Sequence, residues 1–393
     1  METKTVQRRF DLDWLRVLAI LSVFLYHSTR FFNLEDWHVK NPFTTAWVEI
    51  VEGFMEIWMM PLIFLISGAS IFYAMNKGGA GKFFKDKVLR LLVPLLVVVF
   101  THASLQVYLE RITHGQFAGS YFAFLPHYFE GVYLDTGGDG NFAFHGMHMW
   151  YVLILFIYCV IFYPLFRWWK GNGRGVLEKI GSLFASPWTM WLVMAFPIWF
   201  LNNWTDDTDW MFGSGGWPFL YYIFFLLYGF VIASHERLQA NIKRARWAYL
   251  FVGLILSATL LLGSVNVNSI ITSLVDRWDD EFYFLSACTL LPAFLGFAMQ
   301  YLTRSTPFLK YANEAVLPFY ILHQTVLLIV GYFIVQWAIP DLAKWMVIFL
   351  SSFPIILALY EFVVRRFNVM RVLFGMRLLP RASVSQPKAV PAD

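Results

Sequence analysis

Charged residues are scarce in this chain, and cysteine is almost absent. Only 14% of the 393 residues are Asp, Glu, Lys or Arg, whereas 59% are hydrophobic. Soluble domains carry about a quarter charged residues, so this composition excludes an ordinary soluble protein. The two cysteines, Cys159 and Cys288, lie inside apolar runs, which excludes a disulfide framework or a cysteine metal site. Walker and dinucleotide-binding glycine patterns are also missing. No nucleic-acid partner is expected.

The chain instead carries apolar runs of about 20 residues, each long enough to cross the hydrocarbon core of a bilayer. They predict an all-α polytopic membrane protein with about ten transmembrane helices. The predicted spans are residues 13–32, 50–74, 89–108, 148–167, 187–202, 217–234, 247–264, 282–302, 314–335 and 343–363. The first run is too long for a signal peptide and has no small-residue cleavage site after it, so we interpret it as a span.

Basic and acidic connections alternate between these runs. Residues 1–12, 75–90, 167–186, 235–246, 303–312 and 364–393 hold 24 of the 30 lysines and arginines. This asymmetry predicts that both termini lie in the cytoplasm, and an even number of spans agrees with it. Residues 1–366 are predicted to form a single membrane domain, followed by a basic, partly disordered cytoplasmic tail at 367–393.

The first predicted span carries three ionisable residues, Asp13, Arg16 and His27. Arg16 and His27 are 11 residues apart, which places them within about 20° of one helix face and about 16 Å apart along the axis. Ionisable side chains inside a span usually face the bundle interior or an aqueous cavity. Asp13 and Arg16 fit either an interfacial ion pair or a functional site. His27 lies deeper and fits a satisfied core residue, a proton relay or a general base.

The same residues match a family signature. Asp13-Trp14-Leu15-Arg16 followed by His27 resembles the arginine-x10-histidine signature of the acyltransferase 3 family of integral membrane acyltransferases. Further resemblances lie in Phe64-Leu65-Ile66-Ser67-Gly68, in Phe83-Phe84-Lys85-Asp86-Lys87-Val88-Leu89-Arg90-Leu91-Leu92-Val93-Pro94, in His148-Met149-Trp150-Tyr151-Val152-Leu153 and in Tyr320-Ile321-Leu322-His323. Together these motifs span roughly residues 9–325, most of the chain.

Within the family, the sequence before the Ser-Gly motif is similar to the glucan biosynthesis protein C branch, which is implied to succinylate periplasmic glucans. Pro61 stands where many members have an acidic residue, six positions before Ser67, and the nearest acid is Glu56. This difference favours the glucan branch over the O-antigen acetylases. Trp58 or Met59 stands where the glucan branch tends to have an arginine, which leaves the substrate open.

The resemblance implies a membrane O-acyltransferase of the bacterial inner (plasma) membrane. The donor would be cytoplasmic acyl-CoA, either acetyl-CoA or succinyl-CoA. The acceptor would be a hydroxyl of a periplasmic glucan or of another periplasmic or cell-surface polysaccharide. His27 would act as general base or would carry the acyl group itself. Arg16 would orient the donor or stabilise the oxyanion, and Asp13 would fix the orientation of Arg16.

Five further residues belong to the predicted site. Lys87 and Arg90 share a predicted helix face at the cytoplasmic mouth of the third span, where they fit either CoA phosphates or positive-inside anchoring. The resemblance favours phosphate binding. His148, Trp150 and His323 are predicted to line the substrate cavity, although His148 also fits an interfacial role and His323 a helix-packing role.

No metal is expected, because His145 and His148 lack a third ligand with convincing placement. The intramembrane Asp, Arg and His set also fits a proton-coupled transporter or exporter, which is the alternative function. The absence of a visible internal repeat argues against transporter folds built from two related halves. The acyl group, the acceptor and the oligomeric state, including a homodimer, stay open.

Overall fold

The computed structural model describes residues 8–184, 186–204, 219–264 and 269–379, and within these ranges all regular secondary structure is helical. The α-helices are α1 (Phe10–Thr29), α2 (Ala46–Ala74), α3 (Ala80–Lys87), α4 (Val93–Phe100), α5 (His102–Thr113), α6 (Tyr121–Phe124), α7 (Trp150–Ile161), α8 (Tyr163–Lys170), α9 (Arg174–Leu183), α10 (Pro187–Trp204), α11 (Phe219–Ser234), α12 (Glu236–Ser264), α13 (Ser269–Tyr301), α14 (Pro307–Ile334), α15 (Asp341–Leu359) and α16 (Asn368–Leu373). Two π-helical turns, Val88–Leu92 and Tyr360–Val364, follow α3 and α15. The all-α prediction is confirmed for the described residues.

Six of the described helical segments are long and apolar enough to cross a membrane. They are Trp47–Ala74, Ala80–Thr113, Glu236–Gly263, Arg277–Tyr301, Pro307–Ile334 and Asp341–Val364. A seventh results if Met147–Ile161 and Tyr163–Lys170, which meet at a bend of 53°, count as one span. The helices in the remaining three predicted spans are too short or too polar to qualify by length and composition. A multi-pass membrane protein is therefore supported, whereas the count of ten and the placement of both termini stay predictions.

Helix α1 is enclosed by other helices, and it contacts α2, α13, α14 and α15. Leu12, Ala19, Val23 and Phe24 along it are almost fully buried. Polar groups in a membrane helix are tolerated where they face protein rather than lipid. The position of α1 inside the bundle therefore explains how this helix accommodates several ionisable residues.

Helices α2 and α11 cross with their backbones in close contact, and two glycines make this approach possible. A Cβ atom on Gly68 would lie 1.8 Å from the carbonyl oxygen of Leu226, and one on Gly229 would lie 1.9 Å from that of Leu65. Membrane helices use small residues in this way, because a missing side chain lets two backbones approach. The glycine of the Ser-Gly motif therefore fixes α2 against α11.

Residues 114–146, between α5 and α7, form a cap at the end of the bundle where His27 lies. The cap shares a small apolar core with α5, made of Ala103, Val107, Phe124, Tyr128, Tyr133, Ala143 and Met147. The end of α5 and the start of the cap are tied to the segment that follows α1: the Thr113 hydroxyl donates to the carbonyl oxygen of His38 at 2.7 Å, and the His114 ring lies 3.1 Å from the Asp36 carboxylate. The cap and the segment after α1 therefore pack as one unit.

The folded body extends beyond the predicted domain boundary at residue 366. Helix α16 begins two residues later, and the side chains of Arg371 and Phe374 are buried. Arg371 donates to the Glu314 carboxylate on α14 at 2.9 Å, which supplies the partner that a buried arginine needs. The first part of the predicted tail, residues 367–379, thus packs against the body. Residues 380–393 lie outside the described residues.

Candidate active site

His27 lies in the last turn of α1, where it meets His323 from α14. Nδ1 of His27 is 3.2 Å from Nε2 of His323 and 3.0 Å from the carbonyl oxygen of Val23. Nδ1 of His323 is 2.6 Å from the carbonyl oxygen of Tyr320. The two histidines are 296 positions apart in the sequence, so the packing of α1 against α14 is what brings them together.

The hydrogen-bond pattern assigns the protons of the two neutral imidazoles. A carbonyl oxygen only accepts, so Nδ1 of His323 carries its proton and Nε2 of His323 is an acceptor. Nδ1 of His27 faces two acceptors, the Val23 carbonyl and Nε2 of His323, so this nitrogen donates. A neutral imidazole has a single N–H, and Nε2 of His27 therefore keeps its lone pair. His27 is half-buried, and among the described residues no hydrogen bond of its Nε2 is found.

His148 completes a row of three histidines. Its ring centroid is 5.0 Å from that of His323, and its Nε2 is 3.1 Å from the carbonyl oxygens of Tyr320 and Ile321. Nδ1 of His148 lies 3.4 Å from the side-chain amide nitrogen of Gln106, from which it accepts. Both ring nitrogens of His148 are thus engaged with protein. His148 lies beside the histidine pair, and its contacts with the Tyr320 and Ile321 carbonyls hold the turn of α14 that carries His323.

An amide network that sequence reasoning missed lies behind His148. The side-chain nitrogen of Gln106 donates to the Thr325 hydroxyl at 2.7 Å, and that of Gln324 donates to the Gln106 carbonyl oxygen at 3.2 Å. All three side chains are buried, where polar groups need partners. The sequence held a signal for Gln324 and Thr325, because they follow His323 within the apolar run of α14, whereas Gln106 lies in α5 among other polar residues.

Aromatic rings border His27 on two sides. The Trp37 ring stacks on His27 with centroids 6.3 Å apart and an interplanar angle of 27°, and it is itself buried. The Tyr26 ring lies edge-on to His27 at 5.3 Å, and its hydroxyl donates to Glu56 at 2.6 Å. Rings in these positions restrict water near the imidazole, which strengthens its polar contacts. Neither Trp37 nor Tyr26 was among the predicted site residues.

A buried carboxylate holds the segment that carries Trp37. Glu110 on α5 accepts from the His38 ring, from the Tyr133 hydroxyl at 2.8 Å, from the backbone N–H of Gly137 at 2.9 Å and from Arg111 at 3.2 Å. Burial and the negative Glu110 carboxylate raise the pKa of Tyr133, which keeps this hydroxyl protonated as a donor. The four donors come from the cap, from α5 and from the residue after Trp37. Glu110 therefore joins these elements beside the histidine pair.

The Glu110→Gln variant is expected to lower the free energy of unfolding by about 3 kcal/mol, because breaking a buried charged network leaves donors without an acceptor. The check is the thermal unfolding midpoint of the purified protein in detergent, together with the rate of proteolysis within the cap. The control is Glu130→Gln on the cap surface, whose side chain is 66% exposed. Equal midpoints for the two variants would contradict this role of Glu110.

The predicted pair Asp13 and Arg16 lies near the other end of α1. Arg16 donates to Asp13 at 3.2 Å, to the Asn313 side chain on α14 at 3.2 Å and to the Ser70 hydroxyl on α2 at 2.8 Å. Because α1 is continuous, Arg16 and His27 stay about 16 Å apart along its axis. The structure thus brings Asp13 against Arg16 and keeps both away from His27.

Lys87 and Arg90, predicted to share a helix face, have different neighbours. The Lys87 ammonium lies 5.3 Å from the centre of the Phe83 ring and near the Cys159 thiol on α7. Arg90 is exposed. The π-helical turn Val88–Leu92 begins between the two cations, so the stretch from Lys87 to Arg90 is not a regular α-helix. The shared helix face of Lys87 and Arg90 and their binding of CoA phosphates stay predictions.

Trp150 is placed apart from the histidine pair. Its ring packs against Tyr222 at 5.5 Å and against Phe64 at 6.3 Å. Among the described residues, no group of three or more His, Cys, Asp or Glu side chains is arranged to hold a metal ion. A metal-free reaction and a cavity-lining role for Trp150 both stay predictions.

Comparison with known proteins adds the family. Residues 9–361 match an acyltransferase domain. A segment of 99 residues is 24% identical to "Glucans biosynthesis protein C" from Escherichia coli K12, and the same holds for the proteins of that name from strains O1:K1 / APEC and O9:H4 (strain HS). These matches cover 25% of this chain and 26% of each relative, so the chain spans about a quarter of the length of the curated relatives it matches. No solved structure matches the chain.

The family match extends over almost all of the folded body, from the residue before α1 into the π-helical turn after α15. It includes the helix that carries Arg16 and His27 and the helix that carries His323. The chain therefore belongs to the acyltransferase 3 family of integral membrane acyltransferases.

Proposed function

We propose that this protein transfers an acetyl or succinyl group from cytoplasmic acyl-CoA to a hydroxyl of a periplasmic or cell-surface glycan at the bacterial inner membrane. The family supports acyl transfer as the reaction class. The partial match to glucans biosynthesis protein C makes periplasmic glucan the first acceptor to test. The observation that carries the proposal is the pairing of His27 with His323, which directs the Nε2 lone pair of His27 away from its protein partners.

In the general-base route, Nε2 of His27 takes the proton of the acceptor hydroxyl while the oxygen attacks the thioester carbonyl. The carbon–sulfur bond then breaks, and the CoA thiolate takes the proton from Nε2 of His27, which regenerates the base and releases CoA as a thiol. The positive charge on His27 would be stabilised by the Val23 carbonyl and Nε2 of His323, which accept from Nδ1, as the third member of a catalytic triad stabilises its imidazolium. These hydrogen bonds lower the free energy of proton transfer to Nε2 of His27.

In the acyl-carrier route, Nε2 of His27 attacks the thioester carbonyl, the carbon–sulfur bond breaks, and CoA leaves as a thiolate while an acyl-imidazolium forms. The acceptor hydroxyl then attacks the acyl carbon, the bond to Nε2 breaks, and the hydroxyl proton passes to the CoA thiolate, which regenerates the neutral histidine. The same Nδ1 contacts orient the ring in both routes. Incubating the purified protein with labelled acyl-CoA and no acceptor distinguishes them, because only the carrier route leaves label on His27, detectable by peptide mass spectrometry.

The donor would approach from the opposite end of α1, near Arg16 and Arg90. Cations bind phosphate groups strongly through charge-assisted hydrogen bonds. The separation of about 16 Å between Arg16 and His27 then has to be bridged by the extended arm of CoA, with its thioester at the far end. Asp13, which receives hydrogen bonds from Arg8 at 2.8 Å and from Arg16, would hold the Arg16 guanidinium in place.

The test is a deletion strain complemented with the wild-type gene, with His27→Ala, or with the control His127→Ala on the cap surface. Periplasmic glucans and surface polysaccharides are compared by mass spectrometry at matched protein levels. We expect acetyl or succinyl groups with the wild type and with His127→Ala, and none with His27→Ala. Full decoration by His27→Ala would contradict the assigned chemistry. A solute that accumulates on one side, with no change in any glycan mass, would instead favour the transporter alternative.

A further inference from the structure

Arg90 carries an exposed guanidinium on the π-helical turn Val88–Leu92. Within the described part of the chain, no hydrogen bond or ion pair of this guanidinium is found. Arg377 follows two residues after Gly375, whose backbone lies against Arg90 and against Leu317 on α14. Arg16 also contacts α14, so three arginines come from three distant parts of the sequence to elements that pack together. Arginines gathered in this way offer hydrogen-bond donors and positive charge to an anion.

Arg371 fixes the C-terminal segment that carries Arg377. It is 5% exposed, and its guanidinium donates to the Glu314 carboxylate at 2.9 Å and to the carbonyl oxygens of Arg365 at 3.1 Å and Arg377 at 2.6 Å. All the donors of a buried guanidinium need acceptors, so this side chain pins the backbone of the segment to α14. The backbone of residue 377 is therefore held, while its side chain is exposed.

Gly375 allows the C-terminal segment that carries Arg377 to pack closely against the third predicted span. Its φ of +69° lies in the left-handed region, which favours glycine. A Cβ atom at this position would lie 2.9 Å from the carbonyl oxygen of Arg90 and 2.9 Å from the ring of Pro94. The close approach occurs at the π-helical turn that carries Arg90. The backbone of Gly375, two residues before Arg377, thus lies against that of Arg90.

Arg16 joins this arrangement through α14. Its guanidinium contacts Asn313, the residue next to the Glu314 that holds Arg371. The side chain of Arg16 is 31% exposed, so part of it stays available to a ligand. Arginine suits phosphate because its planar fork donates two parallel hydrogen bonds to phosphate oxygens.

We propose that Arg16, Arg90 and Arg377 form one phosphate-binding site, and that the C-terminal segment 374–379 completes the site for the phosphates of the acyl donor. The inference rests on the proposed function, because that function supplies the phosphorylated donor. It replaces the predicted Lys87 and Arg90 pair with a site built from three separate elements. An anionic lipid headgroup offers the same phosphate chemistry, and the experiment separates the two sources.

The test measures CoA binding to the purified full-length chain in phosphatidylcholine nanodiscs. Arg377→Ala is expected to weaken the Kd for CoA about tenfold, because a charge-assisted hydrogen bond is lost. The control Arg366→Ala removes an exposed arginine that lies over the Phe362 ring, and it should leave the Kd unchanged. Gly375→Val keeps Arg377 but displaces the segment, so it should weaken CoA binding in the same direction. Raising the salt concentration should weaken binding to the wild type more than to Arg377→Ala.

Equal CoA affinity of Arg377→Ala and the wild type would overturn the inference. In nanodiscs that contain phosphatidylglycerol, a loss of lipid stabilisation by Arg377→Ala with unchanged CoA affinity would assign the site to a lipid headgroup and overturn the donor assignment. If the wild type binds CoA and acylates glycan while Arg377→Ala matches it, only this inference fails. A wild-type protein that neither binds CoA nor transfers acyl groups would overturn the proposed function, and this inference with it.

Discussion

His27→Ala is expected to lower the rate of acyl transfer by about 10²–10⁴-fold, the range that a positioned general base contributes. The physical reason is that the variant loses Nε2 of His27. In the histidine pair, this nitrogen is the one whose lone pair points away from its protein partners. The measurement is the release of CoA thiol from acyl-CoA in the presence of glucan, with purified protein at a matched concentration. His127→Ala serves as the control, because this residue lies on the cap and is 48% exposed.

Substitution of His323 tests whether His27 and His323 act as a pair. If His323 acts only through His27, the double variant His27→Ala/His323→Ala should be no slower than His27→Ala alone, since residues that act as a unit are strongly non-additive. His323→Ala alone should shift the pH dependence of the rate, because it removes an acceptor that stabilises charged His27. Independent, additive losses with an unchanged pH profile would show that the two histidines do not work as a pair.

Gly68→Ala is expected to lower the free energy of unfolding by about 4 kcal/mol or more, which places it among the most severe single substitutions. The added methyl group would meet the Leu226 carbonyl at 1.8 Å, and a helical backbone cannot yield as a flexible side chain does. Gly229→Ala should behave alike, because its new Cβ would meet the Leu65 carbonyl at 1.9 Å. The measurement is the yield of monodisperse protein in detergent and its thermal unfolding midpoint.

Gly81→Ala is the matched control for this packing prediction. A Cβ atom at Gly81 meets nothing within 4 Å, and the residue lies in α3, where alanine is the better helix former. Its unfolding midpoint should equal or exceed that of the wild type. A Gly68→Ala protein with the same midpoint as Gly81→Ala would show that α2 and α11 are not held at the described distance.

The two ends of α1 are far apart, so substitutions near each end should affect different steps of the reaction. Arg16 contacts α2 and α14 near one end, and His27 meets α14 near the other. Substitutions at Arg377 should therefore change donor affinity, while substitutions at His27 should change the chemical step. An effect of Arg377→Ala on the rate at saturating donor, with no change in donor affinity, would contradict this division.

Local pattern determined several features of this protein. Apolar runs of about 20 residues predicted helices, because an isolated span must satisfy its backbone hydrogen bonds internally. The spacing of Arg16 and His27 placed them on one face of α1 at two depths, because helix geometry depends only on residues close in sequence. The family signature rests on the same local spacing, and the match over residues 9–361 agrees with it.

The tertiary structure decided which helix faces are in contact. The contact of His27 with His323 and the approach of Gln106 to Thr325 join residues more than 200 positions apart, and no periodicity in the sequence specifies such pairs. The π-helical turn Val88–Leu92, which begins between Lys87 and Arg90, is likewise not specified by any periodicity in the sequence.

The end of the folded body was decided in the same way. The sequence predicted a membrane domain that ends at residue 366 and a basic, partly disordered tail after it. Arg371 is instead buried against Glu314, 57 positions earlier, and a charge is stable in such a place only when its partner is there. Spacing along one helix determined where Arg16 and His27 lie, and contacts between distant helices decided what surrounds them.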